Sequence, residues 1–336
     1  MSKKALITGI SGQDGAYLAK YLLDKGFKVY GLERRSASND NFRLKYLDIL
    51  NEVNIFNIDL LEHTSIASLI ASEQFDHVYN LAAQSFVGDS WNNAITTSQI
   101  NSIGVVNLLD AIKQLSNTTK YYQASTSEMF GLVQNTPQNE KTPFYPRSPY
   151  GVSKLYSHWM TVNYRESFNL HCSSGILFNH ESPLRGSQFV TKKIVSGLCD
   201  YLKDGNKYLE LGNLDAERDW GYAGDYVKAM FLMLDKDDPD DYVIGTGKKH
   251  SVREFCSIAL DKLNIKYSWE GQGINEKCIS TKDNKLIIQV SEKFFRPAEV
   301  NELLADPSKA NKKLGWKSET SLESLIEMMI EFELSK

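Results

Sequence analysis

The N-terminal stretch narrows what this chain can fold into more than any other. A short apolar run, Ala5-Leu-Ile-Thr8, leads into Gly9-Ile-Ser-Gly12-Gln-Asp-Gly15. A helical pattern follows, with Tyr17, Leu18, Tyr21 and Leu22 on one face, and Gly26 closes it. Lys28-Val-Tyr-Gly-Leu32 then reads as a second strand. Strand, glycine-rich turn, helix and strand make a βαβ unit. In that setting the first glycine allows a tight turn. The second lets backbone approach a pyrophosphate, and the third lets the helix pack on the strand. The helix N-terminus offers free N–H groups to the phosphate. The spacing is Gly-x-x-Gly-x-x-Gly rather than the commoner Gly-x-Gly-x-x-Gly, but its strand–helix context points to a bound dinucleotide.

The second strand ends at Glu33-Arg34-Arg35-Ser36. A carboxylate there bonds an adenosine ribose and favours NAD, whereas an arginine takes a 2′-phosphate and favours NADP. Two adjacent arginines followed by Ser36 and Ser38 read as a phosphate cradle, so NADP is the expected cofactor.

The alternation continues. Residues 54–58 and 76–81 read as strands, with a helix near 63–74 between them. The second of these strands runs into Ala82-Ala83-Gln84-Ser85, small residues at a carboxyl end where a flat cofactor can come close. A long helix is expected over about 92–115, then a strand at 120–124 that ends in Ser125-Thr126-Ser127-Glu128. A proline-rich loop delivers Tyr150 to the start of another helix, and Tyr150 and Lys154 are one turn apart on the same face. A strand at 173–178 closes the series. At least six alternations predict an α/β fold with a doubly wound, mostly parallel sheet of Rossmann type. The expected division is 1–178 for the cofactor, also receiving later segments such as about 215–245. Residues 179–336 form mainly a smaller C-terminal α/β substrate lobe. Helices are expected near 188–204 and 224–234, with capping-box starts at Ser251-Val-Arg-Glu254 and Thr320-Ser-Leu-Glu323.

Composition matters mainly for what it excludes. A formal net charge of -4 is too mild to argue for nucleic acid or a membrane surface, and neither is expected as partner, though a local basic patch could still bind phosphates. No apolar run is long enough to span a membrane, and the chain enters a strand at once without a signal-peptide core, so a cytoplasmic protein is expected. Cys172, Cys199, Cys256 and Cys278 form no C-x-x-C pair and read as small buried hydrophobes. The six histidines lack zinc-enzyme spacing, so no metal site is expected.

Together, Gly9-x-x-Gly12-x-x-Gly15 and Tyr150-x-x-x-Lys154 resemble the extended short-chain dehydrogenase/reductase superfamily. Finer motifs are similar to one branch, the GDP-mannose 4,6-dehydratase family. They include Glu33-Arg-Arg-Ser36, Asn80-Leu-Ala-Ala-Gln-Ser85, Gln123-Ala-Ser-Thr-Ser-Glu-Met-Phe-Gly131, Gly175-Ile-Leu-Phe-Asn-His-Glu-Ser-Pro183, Arg218-Asp-Trp-Gly221 and Phe295-Arg-Pro-Ala-Glu-Val300. Ser11 replaces the family's usual threonine, and the segment 270–290 matches poorly.

The resemblance implies NADP held by Gly9, Gly12, Gln13, Asp14, Gly15, Arg34, Arg35, Asp59, Leu60, Leu81, Ala82, Ala83, Gln84 and Ser125. Tyr150, Lys154, Leu177, His180 and Arg185 complete that set. It implies a GDP-sugar held by Ser85, Thr126, Glu128, Tyr150, Asn179, Glu181, Val190, Lys193, Arg218, Arg296 and Glu299. The sugar is GDP-mannose or a GDP-manno-heptose, whose extra carbon extends from C6. A cation one turn away favours the phenolate of Tyr150, which then takes a proton from a sugar hydroxyl. Glu128 separates elimination from C4 epimerisation, because only elimination needs a base at C5, with Thr126 hydrogen-bonding the O4 or O6 region. The runner-up readings are an epimerase or reductase on the same fold and a non-catalytic dinucleotide sensor. A homo-oligomer, dimer or tetramer, is also implied, pairing through helices near 92–115 and 150–168.

Overall fold

The computed structural model describes residues 2–34, 40–295, 298 and 300–336. Strands β1 (Lys4–Thr8), β2 (Lys28–Glu33), β3 (Asn54–Asn57), β4 (His77–Asn80), β5 (Lys120–Thr126) and β6 (Cys172–Leu177) alternate with helices. The helices are α1 (Gln13–Asp24), the short α2 (Phe42–Tyr46), α3 (His63–Glu73), α4 (Ala94–Ser98), α5 (Gly104–Leu115) and α6 (Pro149–Phe168). The second half contributes β7 (Asn179–Glu181), α7 (Val190–Lys203), β8 (Leu209–Leu211), β9 (Glu217–Arg218), β10 (Trp220–Tyr222), α8 (Ala223–Asp235) and β11 (Asp241–Ile244). It ends with β12 (His250–Ser251), α9 (Val252–Lys262), β13 (Tyr267–Glu270), β14 (Lys277–Ser280), β15 (Leu286–Val290), α10 (Ser308–Leu314) and α11 (Leu322–Leu334).

Among the described residues, seven strands form one parallel sheet in the order β11-β6-β5-β4-β1-β2-β3. Ala5, Leu6 and Ile7 of β1 are all fully buried, the continuous apolar run that a strand covered on both faces requires. Leu18 and Leu22 of α1 pack with Val227 and Met230 of α8 on one face. Ile66 and Ile70 of α3 pack with Leu108 and Ile112 of α5 on the other. Each such side chain contributes about 1.5–3 kcal/mol relative to exposure, so the two layers fix the sheet. Its strand order reverses between β1 and β4, and a crevice opens there beyond the carboxyl ends.

A second core joins α7, α9 and α11 to a four-stranded sheet, β13-β14-β15-β8. The segment that matches the family poorly therefore builds an antiparallel meander, attached through parallel pairing of β15 to β8. Two elements differ from expectation. The helix expected over 92–115 starts at Ala94 and widens into a π-helical turn at Gln99–Ile103. The last helix is capped by Ser321, which accepts from Ser324 N, rather than by Thr320. The backbone of Thr320 is instead held by the carboxylate of Asp225 at 2.9 Å. No described helix is long and apolar enough to cross a membrane.

Candidate active site

A cleft of about 1190 Å³ lies over the carboxyl ends of the sheet and runs toward the lobe. Every described residue singled out above for cofactor or sugar nucleotide lines it, from Gly9 and Asp59 at one end to Lys193 and Arg218 at the other. Arg35, Arg296 and Glu299, with Ser36 and Ser38, lie outside the described residues.

The glycine turn forms one end. Gly12 precedes α1 with no side-chain cap, which leaves the first helical N–H groups for a ligand. A Cβ on Gly15 would sit 2.3 Å from the carbonyl oxygen of Gly9, so only glycine lets the helix close on the turn. Thr8 braces the neighbouring strand end, its hydroxyl accepting from the N–H of Leu81 and of Ala82. Gln84 Oε1 and Asn179 Oδ1 both line the cleft and are buried with no protein partner. Native proteins seldom tolerate that unless a ligand or water pairs the group. Bare helical N–H groups, a glycine cradle and orphan amide oxygens fit a dinucleotide.

Ser148 caps α6, accepting from Gly151 N at 3.0 Å, and Pro149 occupies the first turn. Tyr150 and Lys154 thereby project into the cleft, 8% and 4% exposed. A Cβ on Gly151 would lie 2.8 Å from the carbonyl oxygen of Glu128, so the glycine brings α6 against the turn that carries that carboxylate. Thr126 ends β5 and accepts from Glu128 N at 3.2 Å. Burial pushes the phenol of Tyr150 up to about 12, with the Thr126 hydrogen bond pulling down and Glu128 adding to the rise. Burial pulls the Lys154 amine down to about 8. Burial is the largest influence on the phenol's affinity for its proton.

The far wall is charged and interlocked. His180 Nε2 lies 2.7 Å from Asp14 Oδ2, and its Nδ1 lies 2.7 Å from the carbonyl of Phe178. Burial works against the Asp14 carboxylate, yet the His180 charge and hydrogen bond, Gln13 and Arg185 hold its pKa at about 2. Burial also opposes the His180 imidazolium, but Asp14 outweighs it and raises the pKa. Glu181 is held through one carboxylate oxygen: Thr191 donates to Oε2 at 2.5 Å and Arg185 pairs with the same oxygen at 3.0 Å. Lys193 donates to the Glu210 carbonyl at 2.7 Å and lies 3.4 Å over the Phe294 ring. Among the described residues no cluster of His, Cys, Asp and Glu could hold a metal.

Three supporting residues were not legible beforehand. Asn101 donates to the Gln84 carbonyl and to Ser153 Oγ, and accepts from Gln84 N at 2.9 Å. It sits in the π-helical turn, which is how the helix turns an amide toward the cofactor loop. The available signal was a polar residue four before Val105 on an apolar face. His158, one turn beyond Lys154, holds Ser125 Oγ at 3.1 Å. Arg43 donates to the carbonyls of Ser11 and Leu184, tying the glycine turn to the wall opposite. Nothing local in the sequence marks Arg43.

Comparison with known proteins identifies the family. A family model described as GDP-mannose 4,6 dehydratase matches residues 6–329. A GDP-mannose 4,6-dehydratase of Vibrio cholerae is 46% identical over 354 residues, covering 100% of this chain and 95% of the relative. The GDP-mannose 4,6 dehydratase of Homo sapiens is 46% identical over 334 residues, covering 97% and 90%. Among solved structures, a dTDP-glucose 4,6-dehydratase from Streptomyces venezuelae superposes with a TM-score of 0.84 at 20% identity, covering 99% of this chain and 97% of that one. A full-length match to the family model, joined to relatives of nearly half-identical sequence, leaves one assignment: the chain belongs to the GDP-mannose 4,6-dehydratase family.

Proposed function

We propose that this chain is a hydro-lyase that converts a GDP-linked mannose to its 4-keto-6-deoxy product, with NADP as a resident cofactor. The observation that carries this reading is the meeting of Tyr150, Lys154 and Glu128 in one cleft, with Thr126 between them. Arg34 at the end of β2, followed by Arg35, supports the phosphorylated dinucleotide. A nicotinamide, when bound, supplies reversible hydride storage.

The side chains divide the proton work. Tyr150 takes the proton of the C4 hydroxyl as that carbon becomes a ketone. The ketone acidifies the C5 hydrogen, which Glu128 removes. Water then leaves from C6, with Thr126 hydrogen-bonding the oxygen region. The acid that Glu128 becomes supplies the proton with which the C6 hydroxyl leaves as water, C6 would take back the hydride given up at C4, and Tyr150 returns its proton to C5, so both side chains are restored and the only net change is loss of one water. Lys154 orients the ribose end and, once the site is filled, favours the ionised phenol. Asn179, Lys193 and Arg218, with Arg296, hold the GDP end, and Ser85, Val190 and Glu299 complete the substrate set.

Incubation of purified protein with GDP-mannose and no added NADPH tests the reading. A 4-keto-6-deoxy product without cofactor turnover supports it. A C4 epimer, or product formed only with stoichiometric NADPH, replaces it with the epimerase or reductase reading. A parallel assay with a GDP-manno-heptose decides the sugar. A cytosolic homo-oligomer is part of the same proposal.

A further inference from the structure

Asp219 stands in the Arg218-Asp-Trp-Gly221 run, and the proposed chemistry gives it no part. Its carboxylate is 0% exposed. Burying a carboxylate costs several kcal/mol unless hydrogen bonds compensate. Here four donors converge on it. Thr246 N and Thr246 Oγ1 reach Oδ1 at 2.8 and 2.7 Å. Gly247 N and Ala305 N reach Oδ2 at 2.9 and 3.3 Å. The Gly245-Thr-Gly247 turn therefore wraps the carboxylate as a backbone anion cradle, and its occupant is the protein's own side chain. Burial still leaves the carboxyl above its ordinary value, with the four hydrogen bonds working against that rise.

The place in the chain gives the cradle its meaning. Residues 217–222 cross between the two cores. Arg218 in β9 pairs with His250 of β12, and Trp220 in β10 pairs with Asn179 of β7 at the cleft wall. Thr246 and Gly247 follow β11, the outermost strand of the main sheet. Asp219 thus bolts the crossing segment to the sheet at the one residue between its two pairings. Side chains alternate along extended backbone, so Arg218 and Asp219 leave on opposite sides. Arg218 lines the cleft while Asp219 enters the cradle.

We infer that Asp219 is a positioning residue for the nucleoside diphosphate site: its cradle fixes the crossing segment so that the Arg218 guanidinium faces the pyrophosphate. This rests on the proposed role of Arg218 at the GDP end. Calorimetry with GDP and, separately, with NADPH tests it on the full chain, alongside kcat and KM for GDP-mannose. Asp219→Asn keeps the shape and mismatches the donors. It is expected to weaken GDP about tenfold and to raise KM in step. NADPH affinity should not change, and kcat at saturation should stay within about twofold. In an Arg218→Lys background the Asp219→Asn effect should shrink, since both act through one guanidinium.

Thr246→Val, which removes a single donor, should shift GDP affinity the same way by less, and Thr246→Ser should restore it. That pair decides the matter where Asp219→Asn does not fold. Equal loss of GDP and NADPH affinity overturns the proposal, because it marks general loosening. Unchanged GDP affinity in Asp219→Asn, with Arg218→Ala weakened, overturns it as well. Unchanged GDP affinity in Arg218→Ala removes the reading beneath and the inference with it.

Discussion

Glu128 and Tyr150 occupy one cleft but carry separable steps, and single substitutions can part them. Glu128→Gln keeps the side chain's size and the backbone bond from Glu128 N to Thr126 but abolishes proton removal at C5. Dehydration should fall by about 10²–10⁴-fold, the usual worth of a general base. C4 oxidation should persist, so reduced nicotinamide accumulates on the enzyme when GDP-mannose is added, visible in its near-ultraviolet absorbance. Unimpaired dehydration would remove Glu128 from the mechanism. Gly15→Ala tests the other end of the cleft. Its Cβ would meet the Gly9 carbonyl at 2.3 Å, so the glycine turn must shift. Dinucleotide affinity should drop about tenfold or more by calorimetry, because overpacking displaces backbone that has no flexible neighbour to yield. Both residues could be picked out from sequence, since they bear chemistry or geometry that few other side chains supply. Asn101 and Asp219 could not, because each acts on partners from distant segments that only the folded chain brings near. Glu181, assigned to the sugar, lines the cleft, and Thr191 and Arg185 both meet its Oε2.

At the scale of elements, the His180–Asp14 pair joins β7 to α1 across the mouth of the cleft. Its pH dependence follows from the two shifts. Asp14 titrates at about 2 in the fold against an ordinary 3.8, so its stabilisation holds above 3.8 and is lost as pH falls through about 2. His180 is raised above its ordinary 6.5, so its stabilisation is full below 6.5 and is lost as pH rises through the higher folded value. The pair is therefore strongest in mild acid. His180→Gln should reduce Tm by about 2 °C near pH 6 and by less near pH 9, read by thermal melts at both values. Equal losses at the two values would show that the ring's packing on Tyr226, 4.7 Å between centroids, matters more than its charge. Helices with one clear apolar face, such as α8, were legible to within a residue or two. The β13–β15 meander was not. Its strands of four or five residues are separated by polar turns, and the sheet is anchored by β15 pairing to β8, which sequence order does not reveal.

The whole molecule presents a face that no described segment covers. Along α4 and the turns after it, Ile95 and Ile103 are 77% and 49% exposed. On the adjoining α6, Val152, Tyr156 and Trp159 are 56%, 43% and 50% exposed at positions one turn apart. Scattered surface hydrophobes are ordinary, but five large ones on adjoining helical segments are of the kind that marks an interface. A two-fold axis would pair these residues with their own copies, and the prediction is that the same helices on a second chain cover them. Trp159→Glu places a charge on that face. The mass in light scattering should halve, while the sheet's buried strands and thus the fold remain intact by circular dichroism. A wild-type protein that is already monomeric at micromolar concentration would sink the pairing. The alternation of strands and helices made the doubly wound sheet legible before any coordinates. This patch was visible only as apolar residues on two helices, because whether a face is covered depends on what folds over it, and here no described segment does.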